Sequence, residues 1–242
     1  MAYDKLRMYE KMLQGNISIP KTYIFENNWF TGLASLANIS IDTLDQELIL
    51  KQRFSNGGKG IRLVSKNEGS YDSDVLFQEV MKNHNDIKMV QGNNFCSTLR
   101  YVFYNSNELL PIGATFQFNL GKIIDHMMQG GSVSVSVDVK TGKLFGRGIV
   151  CNGEAFKNHP VTGAAFVDFQ LPNWNLVLTE IQKIAKSFPS LPLIAVELCI
   201  CEYNCVVLEI NAGCGTIAGQ LNHGWLAHPF FDDYYPKRPI IT

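Results

Sequence analysis

Two glutamates and an asparagine late in the chain are spaced to hold a hard cation, and an early lysine ahead of a glycine-rich loop is placed to neutralise an anion. In "AVELCICEYNCVVLEINAG", Glu209 and Asn211 are two residues apart, so in a strand they share a face while Val206, Leu208 and Ile210 point the other way. With a turn at Glu202-Tyr203-Asn204, Cys201 faces Cys205 and Glu197 falls opposite Glu209. Cross-strand Cβ atoms lie about 4.5 to 5.5 Å apart, and like charges there repel unless a cation sits between them. Two carboxylates and one amide oxygen suit Mg²⁺ that is shared with substrate phosphates. The alternative is that both glutamates face water or that one is protonated, and a one-residue slip would put them on opposite faces.

The early stretch is "LILKQRFSNGGKG", residues 48 to 60. A Walker-type loop needs Gly-Lys, then Ser or Thr, then a helix; here Gly58-Lys59 is followed by Gly60 and a strand pattern. What remains is a hairpin tip, Ser55 to Gly60, whose backbone N–H groups either close over phosphates or form a glycine-rich turn without a ligand. Strand alternation puts Ile49, Lys51 and Arg53 on one face. Lys51 there is either a point charge for a phosphate or a lysine on the wet face of an edge strand.

The elements that must position these residues follow from periodicity. Leu6, Tyr9, Met12 and Leu13 predict an opening helix over residues 4 to 14 that Gly15 ends, with "SIPKTYIF" extended after it. "ELILKQRF" and "GIRLV" read as strands flanking the loop, "DSDVLFQEVMKN" as a helix, and "DIKMVQG", "STLRYVFYN" and "LLPIGATFQF" as strands. "GGSVSVSVDVKTGKLFGRGIV" alternates like a half-exposed hairpin, and "PNWNLVLTEIQKIAKSF" puts Trp174, Leu178, Ile181, Ala185 and Phe188 on one helical stripe. Two apolar strands around a short polar turn then close the fold.

The composition narrows the function classes. The 242 residues are 46% hydrophobic and 18% charged, with 21 basic against 22 acidic side chains. That balance supplies no global attraction to nucleic acid or anionic lipid, so an anion must be bound locally. The charged N-terminus does not read as a secretory signal and no apolar run reaches spanning length, so a cytoplasmic protein without membrane contact is expected. The cysteines at 96, 151, 199, 201, 205 and 214 show no zinc spacing and read as free thiols, although Cys199, Cys201 and Cys205 lie close enough for a soft-metal cluster.

Taken in order, "LILKQRFSNGGKGIRLV", "KMVQGNN", "TLRYVF", "GGSVSVSVDVKTGKL" and "AVELCICEYNCVVLEINAG" resemble the ATP-grasp superfamily across nearly the whole chain. "NHPVTGAAFVDFQLPNW" followed by a helix is similar to its sugar-transfer associated branch. The resemblance implies an α+β ATP-grasp fold, two α+β lobes clasping ATP: a small lobe over 1–92 with the flap and a large lobe over 93–242 with the metal-binding strands. It implies that Lys51 contacts the α- and β-phosphates under a flap of Ser55, Asn56, Gly57, Gly58, Lys59 and Gly60. Met89, Val90 and Gln91 would be the hinge strand that reads the adenine edge, and Glu197, Glu209 and Asn211 would hold Mg²⁺. Arg100 would face the γ-phosphate or the acceptor carboxylate, with a surface cross-strand partner as its alternative. His159 falls in a loop matching the family's His-Pro and is either a binding residue or a loop cap, while His223 and His228 anchor the tail.

Two departures carry consequences. Family members generally have a further N-terminal α/β domain, and this chain starts almost at the helix that would follow it, so that domain is expected to be absent. Glu197 stands where the branch usually has Asp. The activity implied is an ATP-dependent carboxylate–amine ligase working through an acyl phosphate, in surface polysaccharide or peptide-like natural product biosynthesis. A kinase of a sugar or alcohol, or a non-catalytic nucleotide-binding subunit, are the alternatives. The expected partners are a small-molecule or saccharide carboxylate and an amine, with a homo-oligomer or a second protein supplying the acceptor site.

Overall fold

The computed structural model describes residues 4–26, 29–33, 38–39, 47–55, 60–64, 74–106, 108–122, 130–212, 219–220 and 224. The flap residues Asn56, Gly57, Gly58 and Lys59 lie outside them, as do Cys214, His223 and His228.

Helix α1 (Lys5–Gln14) opens on Asp4, whose carboxylate accepts from Arg7 N at 3.4 Å, and closes on Gly15, whose N–H reaches back to Lys11 O. Its buried stripe is Lys5, Met8, Tyr9 and Met12. The first sheet has the order β3-β2-β1-β6-β4-β5, comprising β1 (Thr22–Glu26), β2 (Trp29–Gly32), β3 (Asn38–Ile39), β4 (Leu48–Gln52), β5 (Arg62–Val64) and β6 (Val75–Glu79). One of its faces packs a small cluster of Tyr23, Leu48, Leu50, Val64 and Phe77.

The second sheet has the order β11-β10-β9-β8-β7-β12-β13. Its strands are β7 (Thr98–Asn105), β8 (Leu109–Asn119), β9 (Ser132–Val137), β10 (Leu144–Ile149), β11 (Ala155–Phe156), β12 (Leu193–Ile200) and β13 (Cys205–Asn211). Helix α2 (Asn85–Gln91) lies between the two sheets in sequence, and α3 (Trp174–Ser187) packs on the second. The main core gathers Leu99, Tyr101, Phe116, Phe118, Val196 and Leu198 with Val177, Ile181 and Ile184 of α3. Met8, Tyr9 and Met12 join the same core, so α1 buries its body against the second sheet although it precedes the first.

Three elements differ from their expectation. "DSDVLFQEVMKN" holds a strand and not a helix: β6 is central, paired with β1 and β4, and Leu76, Phe77 and Gln78 are all buried. A strand covered on both faces loses the alternation that would mark it and reads as a continuous apolar run. "DIKMVQG", expected as a strand, is helix α2; Ile87, Val90 and Gln91 are its buried face, at helical spacing. Gly92 caps it at φ +73, a left-handed conformation that glycine adopts without cost. Strand β9 also departs from a half-exposed pattern, since Ser132, Ser134 and Ser136 are as buried as the valines between them.

The segment after α1 is pinned by a buried acid of α3. Glu180 accepts from Ser18 N at 3.0 Å and Ser18 Oγ at 3.1 Å, with Lys183 Nζ at 2.8 Å. Removing the carboxylate leaves two donors at Ser18 unpaired. Glu180→Ala is expected to lower stability by about 1–3 kcal/mol in urea unfolding, with Glu180→Gln recovering part of the loss.

Candidate functional site

The two glutamates do meet, by a route the sequence hides. Near the turn the register is Ile200↔Cys205, Cys199↔Val206 and Leu198↔Val207, one residue off the expectation that Cys201 faces Cys205. A β-bulge at Leu208 then shifts the ladder, so that Glu197 pairs with Glu209 and Ala195 with Asn211. The bulge separates the side chains by destination. Val207 and Ile210 enter the main core, while Val206 and Leu208 join Cys199 and Cys201 on the opposite face.

Arg100 lies on the other side of Glu197 in the ladder and donates from Nη1 to Glu197 Oε1 at 2.8 Å. Its Nε is buried with no partner, as is Thr115 Oγ1, and Thr115 is the residue paired with Arg100 across β7 and β8. An Arg that offers one edge to a glutamate and keeps another donor free can take an anion beside the acid pair.

The first sheet brings its cations to the same place. Lys51 pairs with Leu76 on the face that holds Gln78, opposite the small apolar cluster. Tyr9 spans the gap, donating to Leu208 O at 2.7 Å and Gln78 Oε1 at 3.4 Å. Glu209 feels Glu197 on one side and Lys5, Lys51 and Arg100 on the other. Burial, followed by the charge of Glu197, raises its carboxyl above the ordinary range, and the three cations only partly offset this. The sequence-predicted Lys51, Arg100, Glu197 and Glu209 therefore converge, with Asn211 one pairing step along β13.

Lys5 was not foreseen. It is 6% exposed, donates to Ser55 O and, at 3.3 Å, to Ser55 Oγ, and burial and Lys51 lower its pKa against the pull of Glu209. Its sequence signal was an interruption: a lysine in the first turn at a position that shares the buried stripe of Met8, Tyr9 and Met12. Beside it Arg53 grips Asp4 through Nε and Nη2, both at 2.7 Å, and holds that carboxyl below its usual range. Helix α1 thus fastens the base of the glycine loop at Ser55, while Gly60 stands at φ +71, a left-handed conformation open to glycine.

Met89, Val90 and Gln91 do not form a hinge strand. Met89 is 78% exposed on α2, and Gln91 spends its amide on Asn93 O, Phe95 O and Ser97 Oγ. The chain instead crosses between the sheets along Val80 to Asn83, directly after β6. There Met81 packs with Leu208, Val206, Cys199 and Cys201, and Asn83 holds Ser97 through both its amide atoms. His159 is a loop cap: buried, with Nδ1 accepting from Thr162 N at 3.3 Å, its ring edge-on to Phe118 and Phe166, and its pKa lowered by burial. Cys205 sits in the main core, away from the cluster of Cys199 and Cys201, so the three do not converge on an ion. Among the described residues no group of three His, Cys, Asp or Glu side chains is arranged to hold a metal ion. A hard cation here would rest on two carboxylates, an amide oxygen and ligands from outside the chain. The half-buried acid pair, in which burial and the charge of Glu197 raise Glu209, fits such a cation, which would remove the repulsion.

This architecture is similar to solved ligases and synthases. Carboxyaminoimidazole ribonucleotide synthase from Aspergillus clavatus, complexed with ATP, matches with a TM-score of 0.52 at 12% identity, over 88% of this chain and 45% of that one. N5-carboxyaminoimidazole synthetase from Staphylococcus aureus, complexed with ADP, matches at 0.51 and 13%, over 93% and 51%. L-amino acid ligase from Bacillus licheniformis matches at 0.50 and 10%, over 90% and 42%. The chain spans about half the length of these structures. Its fold is the α+β ATP-grasp fold. More narrowly, the sugar-transfer associated ATP-grasp family matches residues 66–228, and the chain belongs to that family. No curated protein matches it. Among the described residues no helix is long and apolar enough to cross a membrane.

Because Glu209 has a folded pKa above its unfolded value, it favours folding below the unfolded value, and that contribution is lost as pH rises through the folded pKa. In chelator, Glu209→Gln should therefore gain thermal stability over the wild type as pH rises from 5 to 8, and the gap should narrow when Mg²⁺ is added. Melting curves at a series of pH values check this; parallel curves with and without Mg²⁺ contradict it.

Proposed function

We propose that this chain is an ATP-dependent carboxylate–amine ligase of the ATP-grasp type. The observation that carries the reading is the meeting of Lys5 and Lys51 with Glu197, Glu209 and Arg100, where α1 and β4 approach the bulged edge of the second sheet. Phosphoryl transfer asks a protein for positioning and charge more than for a nucleophile. The site has that character: fixed cations on one side, carboxylates on the other, and no nucleophile–base pair among the residues that meet there.

In this reading Lys51 and Lys5 neutralise phosphate oxygens, and Ser55, anchored by Lys5, begins a flap that continues through Asn56, Gly57, Gly58, Lys59 and Gly60. Glu197, Glu209 and Asn211 would hold Mg²⁺, which would offset charge on the phosphates. The adenine lies beside Val80 to Asn83, against Met81 and Leu208. Arg100 and Thr115 take the acceptor carboxylate through the donors they leave unpaired. The carboxylate attacks the γ-phosphorus, ADP leaves, and an amine then displaces phosphate from the acyl phosphate to give an amide. Flap closure keeps water from the acyl phosphate. Membership of the sugar-transfer associated family points to a saccharide-derived acid or amine in surface polysaccharide assembly. The half-length match leaves room for a second protein or a second copy to complete the acceptor site, and the reading places the protein in the cytoplasm.

Incubation with ATP, Mg²⁺, sugar acids or amino acids and hydroxylamine should yield ADP and a hydroxamate. Lys51→Ala should reduce turnover by about a hundredfold or more, with thermal unfolding nearly unchanged. A stable phosphorylated sugar in place of the hydroxamate would make the protein a kinase, and ATP binding with no turnover for any acid would make it a nucleotide-binding subunit.

A further inference from the structure

Three thiols gather on the cleft side of the second sheet, and the reaction above uses none of them. Cys199 and Cys201 alternate onto one face of β12 with their sulfurs 3.7 Å apart. Cys96 precedes β7, packs against the same cluster and reaches Cys199 as a side-chain hydrogen-bonding partner. The β7–β12 register supports the juxtaposition: Leu99 pairs with Leu198, and Cys96 lies as far before Leu99 as Cys201 lies beyond Leu198. Cys96 is partly exposed, Cys201 is 9% exposed and Cys199 is fully buried, so the group has one accessible member and two neighbours behind it. Cys205, alone in the main core, lacks this setting.

The cluster is joined to the segment that links the sheets. Asn83 Nδ2 donates to Ser97 O at 2.8 Å and to Cys199 Sγ at 3.4 Å, and Asn83 Oδ1 accepts from Ser97 N at 2.6 Å. Met81 and Leu208 complete the apolar patch around the sulfurs. A covalent change at Cys199 or Cys201 therefore acts on the side chain that pins the crossing segment to the head of β7, one residue from Cys96.

We propose that Cys96, Cys199 and Cys201 form a peroxide-reactive thiol site in which oxidation ties Cys96 to β12 and closes the cleft to nucleotide; the second half rests on the nucleotide-binding reading. In the first step the sulfur of Cys96 attacks hydrogen peroxide. An S–O bond forms, the O–O bond breaks and water leaves, giving a sulfenic acid. The sulfur of a β12 thiol then attacks that sulfur, the S–S bond forms, the S–O bond breaks and a second water leaves. Two thiols and one peroxide thus become one disulfide and two waters. A disulfide needs sulfurs about 2.05 Å apart, so the bridge draws Cys96 inward against the segment that Asn83 holds.

The test uses the reduced full chain and graded hydrogen peroxide, followed by alkylation and peptide mass mapping, with exposed Cys151 as a solitary reference thiol. A disulfide-linked peptide joining Cys96 to Cys199 or Cys201 is expected, together with at least a roughly tenfold loss of affinity for a fluorescent ATP analogue that reductant restores. Cys96→Ser should form no such link and keep its affinity under peroxide. The thiol site is overturned if all three cysteines remain alkylatable at peroxide doses that oxidise Cys151. The effect on the cleft is overturned if the link forms and affinity is unchanged, or if Cys96→Ser loses affinity equally. Reduced protein that forms the link but never binds the analogue would sink the nucleotide reading and leave the thiol chemistry standing.

Discussion

Two carboxylates held face to face across neighbouring strands set the terms for the rest of this molecule. Glu197 and Glu209 are paired in an antiparallel ladder, and their repulsion in a largely buried setting is a cost that packing alone does not remove. The fold answers with cations from three places: Arg100 from the next strand, Lys51 from the first sheet and Lys5 from the opening helix. None of these replaces a ligand bridging both acids, because Arg100 is bonded to Glu197 and burial still raises Glu209. A cation with phosphates attached would put positive charge between the two acids and negative charge beside the lysines.

Helix α1 joins the parts that must meet. Its body lies in the core of the second sheet, with Tyr9 bonded to Leu208 O and Met8 Sδ receiving Ile210 N, so it contacts both neighbours of Glu209 in the chain. Its first turn holds the start of the glycine loop through Asp4 with Arg53 and Lys5 with Ser55. One helix therefore touches both Ser55, where the glycine loop begins, and the bulged edge of β13. The crossing segment after β6 offers a second connection, through Asn83 and Ser97.

Much of this was legible in the sequence, and the failures have physical causes. Alternation in "VVLEIN" placed Glu209 and Asn211, and the short polar turn fixed the partner strand. The facing of Glu197 and Glu209 was read with an unbroken register, whereas the true ladder starts one residue off and a bulge at Leu208 restores it. Periodicity cannot reveal a bulge, because an extra residue leaves both flanking patterns intact. Strand β6 reads as a helix in the sequence because burial on both faces erases the period-two signal. Helix α2 reads as a strand because its two turns are too short to show a stripe, and the hinge expected at Met89 to Gln91 falls with it.

Lys5 shows where pattern reading stops and tertiary contact takes over. By spacing it is a charged residue on the wrong side of an amphipathic helix, a local conflict that burial should penalise. The conflict resolves only when residues far apart in the chain are assembled, since its ammonium is held by Ser55 and lies within the field of Glu209. Local inconsistencies that the whole fold tolerates are expected where ligands act. The same holds for the unpaired donors of Arg100 and Thr115, which leave capacity to spare beside the acid pair. Lys5 and the unpaired donors of Arg100 and Thr115 thus surround one acid pair, whereas Ser132 Oγ, His159 Nε2 and Trp174 Nε1 are left unpaired elsewhere, singly and without opposed charges beside them.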